Sequence, residues 1–177
     1  MDALHGLNMV MDELIIVALG SNLNNGFSSR LALLEAALVA LNAAKLRVVE
    51  RSSWWRSKSW PTETDPDYLN GIVFVETALD PGAVLTALLG VEGNFGRRRA
   101  DANAPRTLDL DLIAYGRRII RRPGLVVPHP RAAERLFVMG PLAEIAPAWR
   151  HPVNGETAEH LAAGATIGAD AALIVGH

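Results

Sequence analysis

Asp109 and Asp111 are two carboxylates separated by one residue, in a stretch, Leu108 to Tyr115, whose apolar pattern predicts a buried strand. Successive side chains of a strand point to opposite faces, so these two carboxylates share a face. Adjacent carboxylates repel each other unless a cation compensates them. Mg²⁺ is a hard cation that binds one or two carboxylates, water and substrate phosphates, so the pair predicts a magnesium site.

Four arginines, Arg97, Arg98, Arg99 and Arg106, lie immediately upstream of this pair. A guanidinium group matches phosphate oxygens in bidentate geometry. The alternative is a strand end that carries solvated charges, and an Asp-x-Asp sequence alone would not exclude it. Metal-binding carboxylates beside phosphate-binding arginines indicate phosphoryl chemistry on a nucleotide.

Two further segments carry side chains that could bind a substrate. Asn70 can offer a donor and an acceptor to the edge of a heterocycle, and Tyr68 offers a flat face for stacking, although core filling is the more usual role. His129 lies between two prolines in a rigid extended segment, with Arg135 close behind. Both could face phosphates; a capping or core histidine is the alternative.

Other common catalytic patterns are absent from the sequence. It contains neither Gly-x-x-x-x-Gly-Lys-Ser/Thr nor Gly-x-Gly-x-x-Gly, and no Gly-x-Ser-x-Gly elbow. The absence of cysteine excludes disulfides, thiolate zinc sites and a cysteine nucleophile. His151 and His160 have no metal-ligand spacing, so we expect both at the surface.

Length and composition indicate a single domain. The chain has 177 residues, half of them hydrophobic, and a net charge of −2, which does not favour a surface for nucleic acid. No apolar run is long enough to cross a bilayer, and the N-terminal residues lack the regions of a signal peptide. We expect a cytoplasmic monomer in a reducing compartment, without nucleic-acid or membrane partners.

The elements that position these side chains are predicted in the order β-α-β-β-α-β. Apolar or β-branched runs predict the strands, and leucines at helical spacing after a capping residue predict the helices. Trp54–Pro66 is expected to be a loop, and Gly20–Asn22 a turn. The strands are expected at 13–19, 46–53, 68–77 and 108–115, and the helices after Ser28 or Ser29 and from Asp80 to about Gly93.

This order predicts an α+β fold, a ferredoxin-like α/β sandwich with its helices on one face of the sheet and additional C-terminal elements. The additional elements are an edge strand at 119–120, an extended segment at 125–130, helical turns at 131–136 and 141–145, and a helix at 157–163. We expect one domain over residues 12–150, an N-terminal extension over 1–11 and a peripheral tail over 151–177.

Four motifs together resemble one known family. They are Val17–Asn22, Pro66–Asn70, Pro105–Asp111 and Val127–His129, in that order and at suitable intervals. The combination resembles the 6-hydroxymethyl-7,8-dihydropterin pyrophosphokinases of folate biosynthesis over most of the chain. The resemblance implies a ferredoxin-like fold and an enzyme that transfers diphosphate from ATP to the pterin hydroxymethyl group, releasing AMP, with two Mg²⁺ ions.

The resemblance also implies roles for individual residues. Asp109 and Asp111 would hold both Mg²⁺ ions, and Tyr68 and Phe137 would sandwich the pterin. Asn70 would read the pterin edge, with Ser57 and Trp60 in the surrounding loop. The residues implied to contact ATP are Glu92, Arg97, Arg99, Arg106, Leu112, His129 and Arg135, and Arg97 and Arg106 would join the two aspartates as catalytic residues.

The segment Arg97–Ala104 corresponds to a mobile lid in this family but lacks the usual tryptophan. It carries three consecutive arginines and almost no apolar side chain, so it cannot bury enough surface to offset its ordering entropy. We expect a lid that closes on ATP through charge more than through stacking.

Two other functions are open from the residues alone. A Mg²⁺-dependent nucleotidyl transferase would use the same carboxylate pair and would release pyrophosphate instead of AMP. A β-α-β-β-α-β domain can also be a non-enzymatic binding module, such as an RNA-recognition domain. That function would require exposed aromatic residues on the middle strands, and no aromatic-rich run of this kind is present.

Overall fold

The computed structural model describes residues 11–59, 64–96 and 107–174. Within these ranges, a six-stranded sheet is covered by helices on both faces, and two further strands form a hairpin. The fold is therefore a mixed α+β fold. No helix in the described ranges combines the length and the apolar character that a membrane span requires.

The strands are β1 Ile15–Ser21, β2 Arg47–Arg51, β3 Trp55–Ser57, β4 Tyr68–Glu76, β5 Asp109–Tyr115, β6 Ile120–Arg122, β7 Leu125–Val127 and β8 Ala172–Leu173. The helices are α1 Arg30–Ala43, α2 Pro81–Asn94, α3 Leu136–Ile145 and α4 Ala158–Gly164, with a 3-10 turn at Ala132–Glu134. The predicted elements from the first strand to β5 are confirmed to within a few residues. Gly93 lies inside α2, and Gly96 is the residue that turns into the left-handed region, with φ 81°.

Strands β1 and β4 form the centre of the sheet. β1 pairs antiparallel with β4 on one side and with β5 on the other. β4 pairs in turn with β2 and β3, and β8 extends the sheet beyond β3. Because both faces of the sheet are covered, β1 is buried throughout and β4 along nearly all its length, which explains their continuous apolar runs.

Helices α1 and α2 cover one face of the sheet. The Ser29 hydroxyl accepts a hydrogen bond from the Ala32 N–H at 3.0 Å, and Asp80 accepts one from the Ala83 N–H at 2.9 Å, with Pro81 beginning α2. These caps satisfy backbone donors that have no partner inside the helix. The apolar faces of both helices pack on β1, β4 and β5 in a first hydrophobic cluster.

Helices α3 and α4 cover the opposite face, in a second cluster that includes Met139, Trp149 and Leu161. The prediction of a peripheral tail is therefore wrong for the described residues beyond 150. Leu161 fills part of this second core, and β8 pairs with β3. The alanine- and glycine-rich composition concealed these contacts because its partners are distant in sequence.

Two local predictions also need correction. The expected loop at 54–66 contains β3, which is stabilised by pairing with β4 and β8 rather than by its own sequence pattern. The turn expected at 131–136 is the 3-10 turn Ala132–Glu134, whereas the turn expected at 141–145 is part of a longer helix, α3, in which Pro141 is buried. Burial against the second cluster offsets the backbone hydrogen bond that proline cannot donate.

His151 is buried rather than at the surface, whereas His160 is exposed as expected. The Nδ1 atom of His151 accepts hydrogen bonds from the N–H groups of Val153 at 3.2 Å and Asn154 at 3.4 Å. Burial lowers the pKa of His151, opposed by the charge of Glu156 and assisted by that of Arg117. Burial therefore favours the neutral form of the ring.

We expect His151 to make the fold sensitive to acid. Because its pKa is lower in the folded chain, the unfolded chain binds more protons, and stability falls as pH decreases from the ordinary histidine value of about 6.5 toward the folded pKa. Between about pH 7.5 and pH 5, the free energy of unfolding measured with denaturant should fall less for His151→Asn than for the parent chain. His160→Asn is the control. Equal acid dependence in all three proteins would contradict the assignment.

Candidate active site

The carboxylate pair and the Asn70 amide lie on one face of three neighbouring strands. Gly20 of β1 is opposite Asn70 on β4 and opposite Asp109 on β5. Two residues earlier in β1, Ala18 is opposite Asp111 and belongs to the second cluster. Directly paired residues share a face of a sheet, so all three polar side chains point to the side covered by α3.

Gly20 leaves space between these polar groups. A Cβ atom at Gly20 would lie 3.4 Å from Oδ1 of Asn70, 3.8 Å from Cδ1 of Tyr68 and 4.0 Å from Cβ of Asp109. Between the amide and the carboxylates, β1 therefore presents only the hydrogen atom of Gly20 and the small side chain of Ala18. A ligand lying over β1 could reach both neighbouring strands.

Asn70 is buried, and Ser57 fixes its orientation. Its Nδ2 atom donates to Oγ of Ser57 at 2.9 Å, and Ser57, the last residue of β3, is also buried. The amide oxygen consequently faces Gly20. An acceptor held in this direction on the sheet can bind the N–H groups of a heterocycle edge.

His129 lies at the other end of this surface. Its N–H donates to the Ile113 carbonyl at 2.9 Å, which anchors it two residues beyond Asp111 on β5. Its Nδ1 atom accepts from the Arg131 N–H at 3.2 Å. Burial and the charge of Arg135 lower the pKa of His129, although Asp109 opposes them. A neutral ring whose Nδ1 is an acceptor carries its proton on Nε2, available to an anion.

Arg135 provides a half-buried cation within electrostatic reach of both carboxylates. Burial lowers the pKa of Arg135, whereas the charges of Asp111 and Asp109 raise it. Its guanidinium carbon lies 5.7 Å from the centre of the Phe137 ring. Arg131 adds a further positive charge close by. The site therefore combines an acidic strand with a basic turn that faces it.

Tyr68 lies at the Asn70 end of this surface, and Phe137 lies beside Arg135 at the start of α3. Tyr68 is two residues before Asn70 on β4, so both side chains share a face. Phe137 lies in the first turn of α3, packed against the edge of the second cluster. Both rings are half-buried, which leaves part of each available to a flat ligand.

Two of the predicted site residues also have structural contacts. The side chain of Leu112 lies in the first cluster, on the opposite face of the sheet, so only its backbone could approach a ligand. Glu92 is buried in α2, and its Oε1 atom accepts a hydrogen bond from the Leu110 N–H at 2.7 Å. The predicted residues outside the described ranges are Trp60, Arg97, Arg99 and Arg106, and the lid at 97–104 also falls there.

The sequence reasoning missed the contribution of β1 to this site. It interpreted Gly20 only as part of a turn and assigned nothing to Ala18 or to the charge of Arg131. The available signal was the pair Ala18 and Gly20, two small residues at alternating positions of a strand that otherwise consists mainly of large apolar residues. Small residues at such positions indicate close approach of another group.

The carboxylate pair fits a Mg²⁺ site that substrate completes. No group of three or more His, Cys, Asp or Glu side chains converges in the described part of the chain. Mg²⁺ needs only one or two protein carboxylates when phosphates and water supply its other ligands. Two half-buried carboxylates on one face, beside the space at Gly20, match that requirement.

Comparison with known sequences identifies one family. The model of the 7,8-dihydro-6-hydroxymethylpterin-pyrophosphokinase (HPPK) family matches residues 16–147. The chain is 43% identical over 143 residues to the 2-amino-4-hydroxy-6-hydroxymethyldihydropteridine pyrophosphokinase of Synechocystis sp., covering 80% of this chain and 71% of that protein. It is 36% identical over 154 residues to the protein of the same name from Pseudomonas aeruginosa, covering 86% and 93%.

Comparison with solved structures shows the same fold. A Plasmodium falciparum HPPK-DHPS structure with pterin and p-hydroxybenzoate has a TM-score of 0.67 at 14% identity, covering 85% of this chain and 43% of that chain. An HPPK-DHPS structure in complex with substrates has a TM-score of 0.64 at 12% identity, covering 85% and 42%. The chain thus spans less than half the length of these solved chains.

Proposed function

Since the chain belongs to the 7,8-dihydro-6-hydroxymethylpterin-pyrophosphokinase family, we propose that the surface from Asn70 across Gly20 to Asp109 and Asp111 is its active site. The chain is an ATP-dependent pyrophosphokinase, which transfers diphosphate from ATP to the hydroxymethyl group of 6-hydroxymethyl-7,8-dihydropterin in folate biosynthesis and releases AMP. The observation that carries the site assignment is the register, which puts Gly20 between Asn70 and Asp109.

The Asn70 end of the surface suits the pterin. The Asn70 amide oxygen would accept hydrogen bonds from the pterin edge, and Ser57 would keep the amide from rotating. Tyr68 and Phe137 would provide the two walls of the pterin slot, and Trp60 is proposed to complete its rim. The hydroxymethyl group would then point along Gly20 toward the carboxylates.

We expect Ser57→Ala to weaken pterin binding and to lower stability by about 1–3 kcal/mol, because Nδ2 of Asn70 would lose its buried acceptor. Ser52→Ala is the matched control. The Ser52 hydroxyl accepts a hydrogen bond at 2.9 Å from the N–H of Ile72, which lies on β4 as Asn70 does. Denaturant unfolding should show comparable losses for the two variants, and pterin binding should fall only for Ser57→Ala. The same binding loss in Ser52→Ala would contradict a specific role for Ser57.

The other end of the surface suits the ATP phosphates. Asp109 and Asp111 would hold Mg²⁺, and the family resemblance implies two ions. Bound there, Mg²⁺ would compensate phosphate charge and lower the pKa of the pterin hydroxyl. The carboxylates would thereby fix the triphosphate over β5, next to the hydroxymethyl group.

The transfer itself is an in-line displacement at the β-phosphorus. The hydroxymethyl group releases its proton to solvent, its oxygen bonds to this phosphorus, and the bond to the oxygen shared with the α-phosphate breaks, so that AMP leaves. Arg135 and the Nε2–H of neutral His129 would donate hydrogen bonds to phosphate oxygens as charge develops there. The phosphate roles of Arg97, Arg99 and Arg106 stay predictions, as does a nucleotide contact by Glu92 or by the Leu112 backbone.

The strand order supports a ferredoxin-like core, which we propose on that basis. The order β5-β1-β4-β2, with α1 and α2 on one face, is the arrangement of a β-α-β-β-α-β unit. A monomeric state and a cytoplasmic location stay predictions from the sequence, as does an N-terminal extension over residues 1–11.

Product analysis tests the proposed function directly. The chain should convert ATP, Mg²⁺ and 6-hydroxymethyl-7,8-dihydropterin to AMP and the pterin diphosphate, and it should form little AMP when the pterin is omitted. Chromatography of the nucleotides and the pterin products separates the alternatives. Release of pyrophosphate would favour a nucleotidyl transferase, and no pterin-dependent turnover would contradict the assignment.

A further inference from the structure

The segment Ile167–Ile174, which we call the C-terminal strap, joins the elements that form the Asn70 end of the site. It follows α4 and runs past the start of α3 to the edge of β3. The Ile167 N–H donates to the Glu134 carbonyl at 3.0 Å, and the Leu136 N–H donates to the Ile167 carbonyl at 2.9 Å. These two bonds fix the strap against the turn that precedes Phe137.

Gly168 packs directly against the Phe137 ring. A Cβ atom at Gly168 would overlap Cδ1 of the ring and lie 3.0 Å from its Cε1 atom. The backbone of Gly168 also has φ +66°, a conformation that residues with a side chain rarely adopt. The Gly168 backbone therefore limits how far the ring can move toward the strap.

Asp170 and β8 attach the other half of the strap to β3. The Oδ2 atom of Asp170 accepts from the Lys58 N–H at 2.6 Å, one residue beyond Ser57. Strand β8 pairs with Arg56 and Trp55. A separate link between α3 and β3 is Glu144, which accepts from Nε1 of Trp55 at 2.8 Å near the C-terminal end of α3. Gly140 of α3 also packs against the Trp55 ring, so the strap adds a connection at the Phe137 end of the helix.

We propose that Gly168 and Asp170 are positioning residues for diphosphate transfer. The strap helps to fix the distance between Phe137 and the Ser57–Asn70 pair, and this distance sets the position of one wall of the pterin slot relative to the amide that would bind the pterin edge. The inference rests on the proposed function, because it takes Phe137 and Asn70 as pterin contacts. Neither positioning residue touches substrate; each acts through the residue that it holds.

Gly168→Ala tests the contact with the ring, and Gly155→Ala is its matched control. Gly155 also has a positive φ, +74°, but a Cβ there would meet nothing within 4 Å. Both variants put a side chain at a positive φ, and only Gly168→Ala places a Cβ atom against the Phe137 ring. We expect Gly168→Ala to raise the pterin KM by about tenfold or more, since a displacement of about 1 Å in a site can cost about 10²-fold. ATP affinity should change less than about twofold, because distant sites that share no partners behave nearly independently.

Asp170 provides a second test that does not depend on the folding of Gly168→Ala. Asp170→Ala removes the acceptor of the Lys58 N–H, whereas Asp170→Asn keeps an oxygen in its place. We expect Asp170→Ala to accelerate hydrogen exchange at the Lys58 amide and to raise the pterin KM, and Asp170→Asn to restore both toward the parent values. The exchange measurement reports the strap contact whether or not the chain turns over.

Three results would overturn the inference. The first is an equal pterin KM in Gly168→Ala and Gly155→Ala. The second is an equal loss of ATP affinity and pterin affinity in Gly168→Ala. The third is an unchanged pterin KM in Asp170→Ala although hydrogen exchange at the Lys58 amide is faster. A parent chain that forms no AMP with the pterin would instead refute the proposed function, before any variant is compared.

Discussion

Replacing Asp109 or Asp111 with asparagine is expected to lower turnover by at least about 10²- to 10³-fold, the scale of losing one preorganised electrostatic contact in an active site. Both carboxylates face the surface over which the phosphates are proposed to lie, and Ala18 and Gly20 offer no substitute ligand. Asparagine keeps the shape of the side chain but removes its charge. Turnover at saturating Mg²⁺ and thermal unfolding should be measured together for each variant.

The folded state should tolerate these substitutions. The repulsion between two carboxylates that share a face opposes the attraction of each to Arg135, so the Tm of Asp109→Asn should stay close to that of the parent chain. Asp12→Asn, at an exposed aspartate that pairs with Arg117 at 3.7 Å, is the control for removing one negative charge. Near-normal turnover in Asp109→Asn and Asp111→Asn would contradict the proposed metal site.

Phe137→Ala and Tyr68→Ala are each expected to weaken pterin binding by about 1–3 kcal/mol, the range for losing one stack between a base and an aromatic side chain. Tyr68 shares the Asn70 face of β4 and Phe137 packs against Gly168 of the strap, whereas the phosphates are assigned to Asp109, Asp111 and His129. ATP affinity should therefore change little. Calorimetric titration with each ligand separates the two effects.

Tyr115→Ala is the matched control for the aromatic substitutions. Tyr115 is also half-buried, but it lies at the far end of β5, where its hydroxyl donates to the Leu79 carbonyl at 2.6 Å. Its replacement should lower stability and leave pterin binding unchanged. Equal losses of ATP and pterin affinity in Phe137→Ala would identify that residue as structural rather than as a wall of the slot.

Elements with a strong local pattern could be predicted from the sequence, and elements that depend on distant partners could not. The apolar run that became β1 and the Ser29 and Asp80 caps are read from adjacent residues, so their positions were correct to within a few residues. Strand β3 lacks such a pattern. It is a strand because Asn70 and Leu173, far away in the chain, supply its backbone partners.

The candidate site follows the same division. Asp109, Asp111, Asn70 and His129 stand in recognisable motifs, and the structure brings these residues to one face of the sheet. The contact of Gly168 with Phe137 had no sequence signal, because a glycine in a small-residue segment resembles any other loop glycine. The burial of His151 was missed for a related reason. Its ring packs against Trp149, and Trp149 is buried in the second cluster by residues that are distant in sequence.

The central position of β1 also has a consequence for how the chain folds. The first strand pairs with β4 and with β5, and both follow it only after long intervening segments. Pairings between residues so distant in sequence require closure of large loops, which slows folding relative to folds made of adjacent hairpins. The early helices and β2 can begin to form while β1 still lacks both neighbours. Strand β5, which carries Asp109 and Asp111, therefore pairs with β1 late. Catalytic competence should consequently arise in the final steps of folding rather than in an early intermediate.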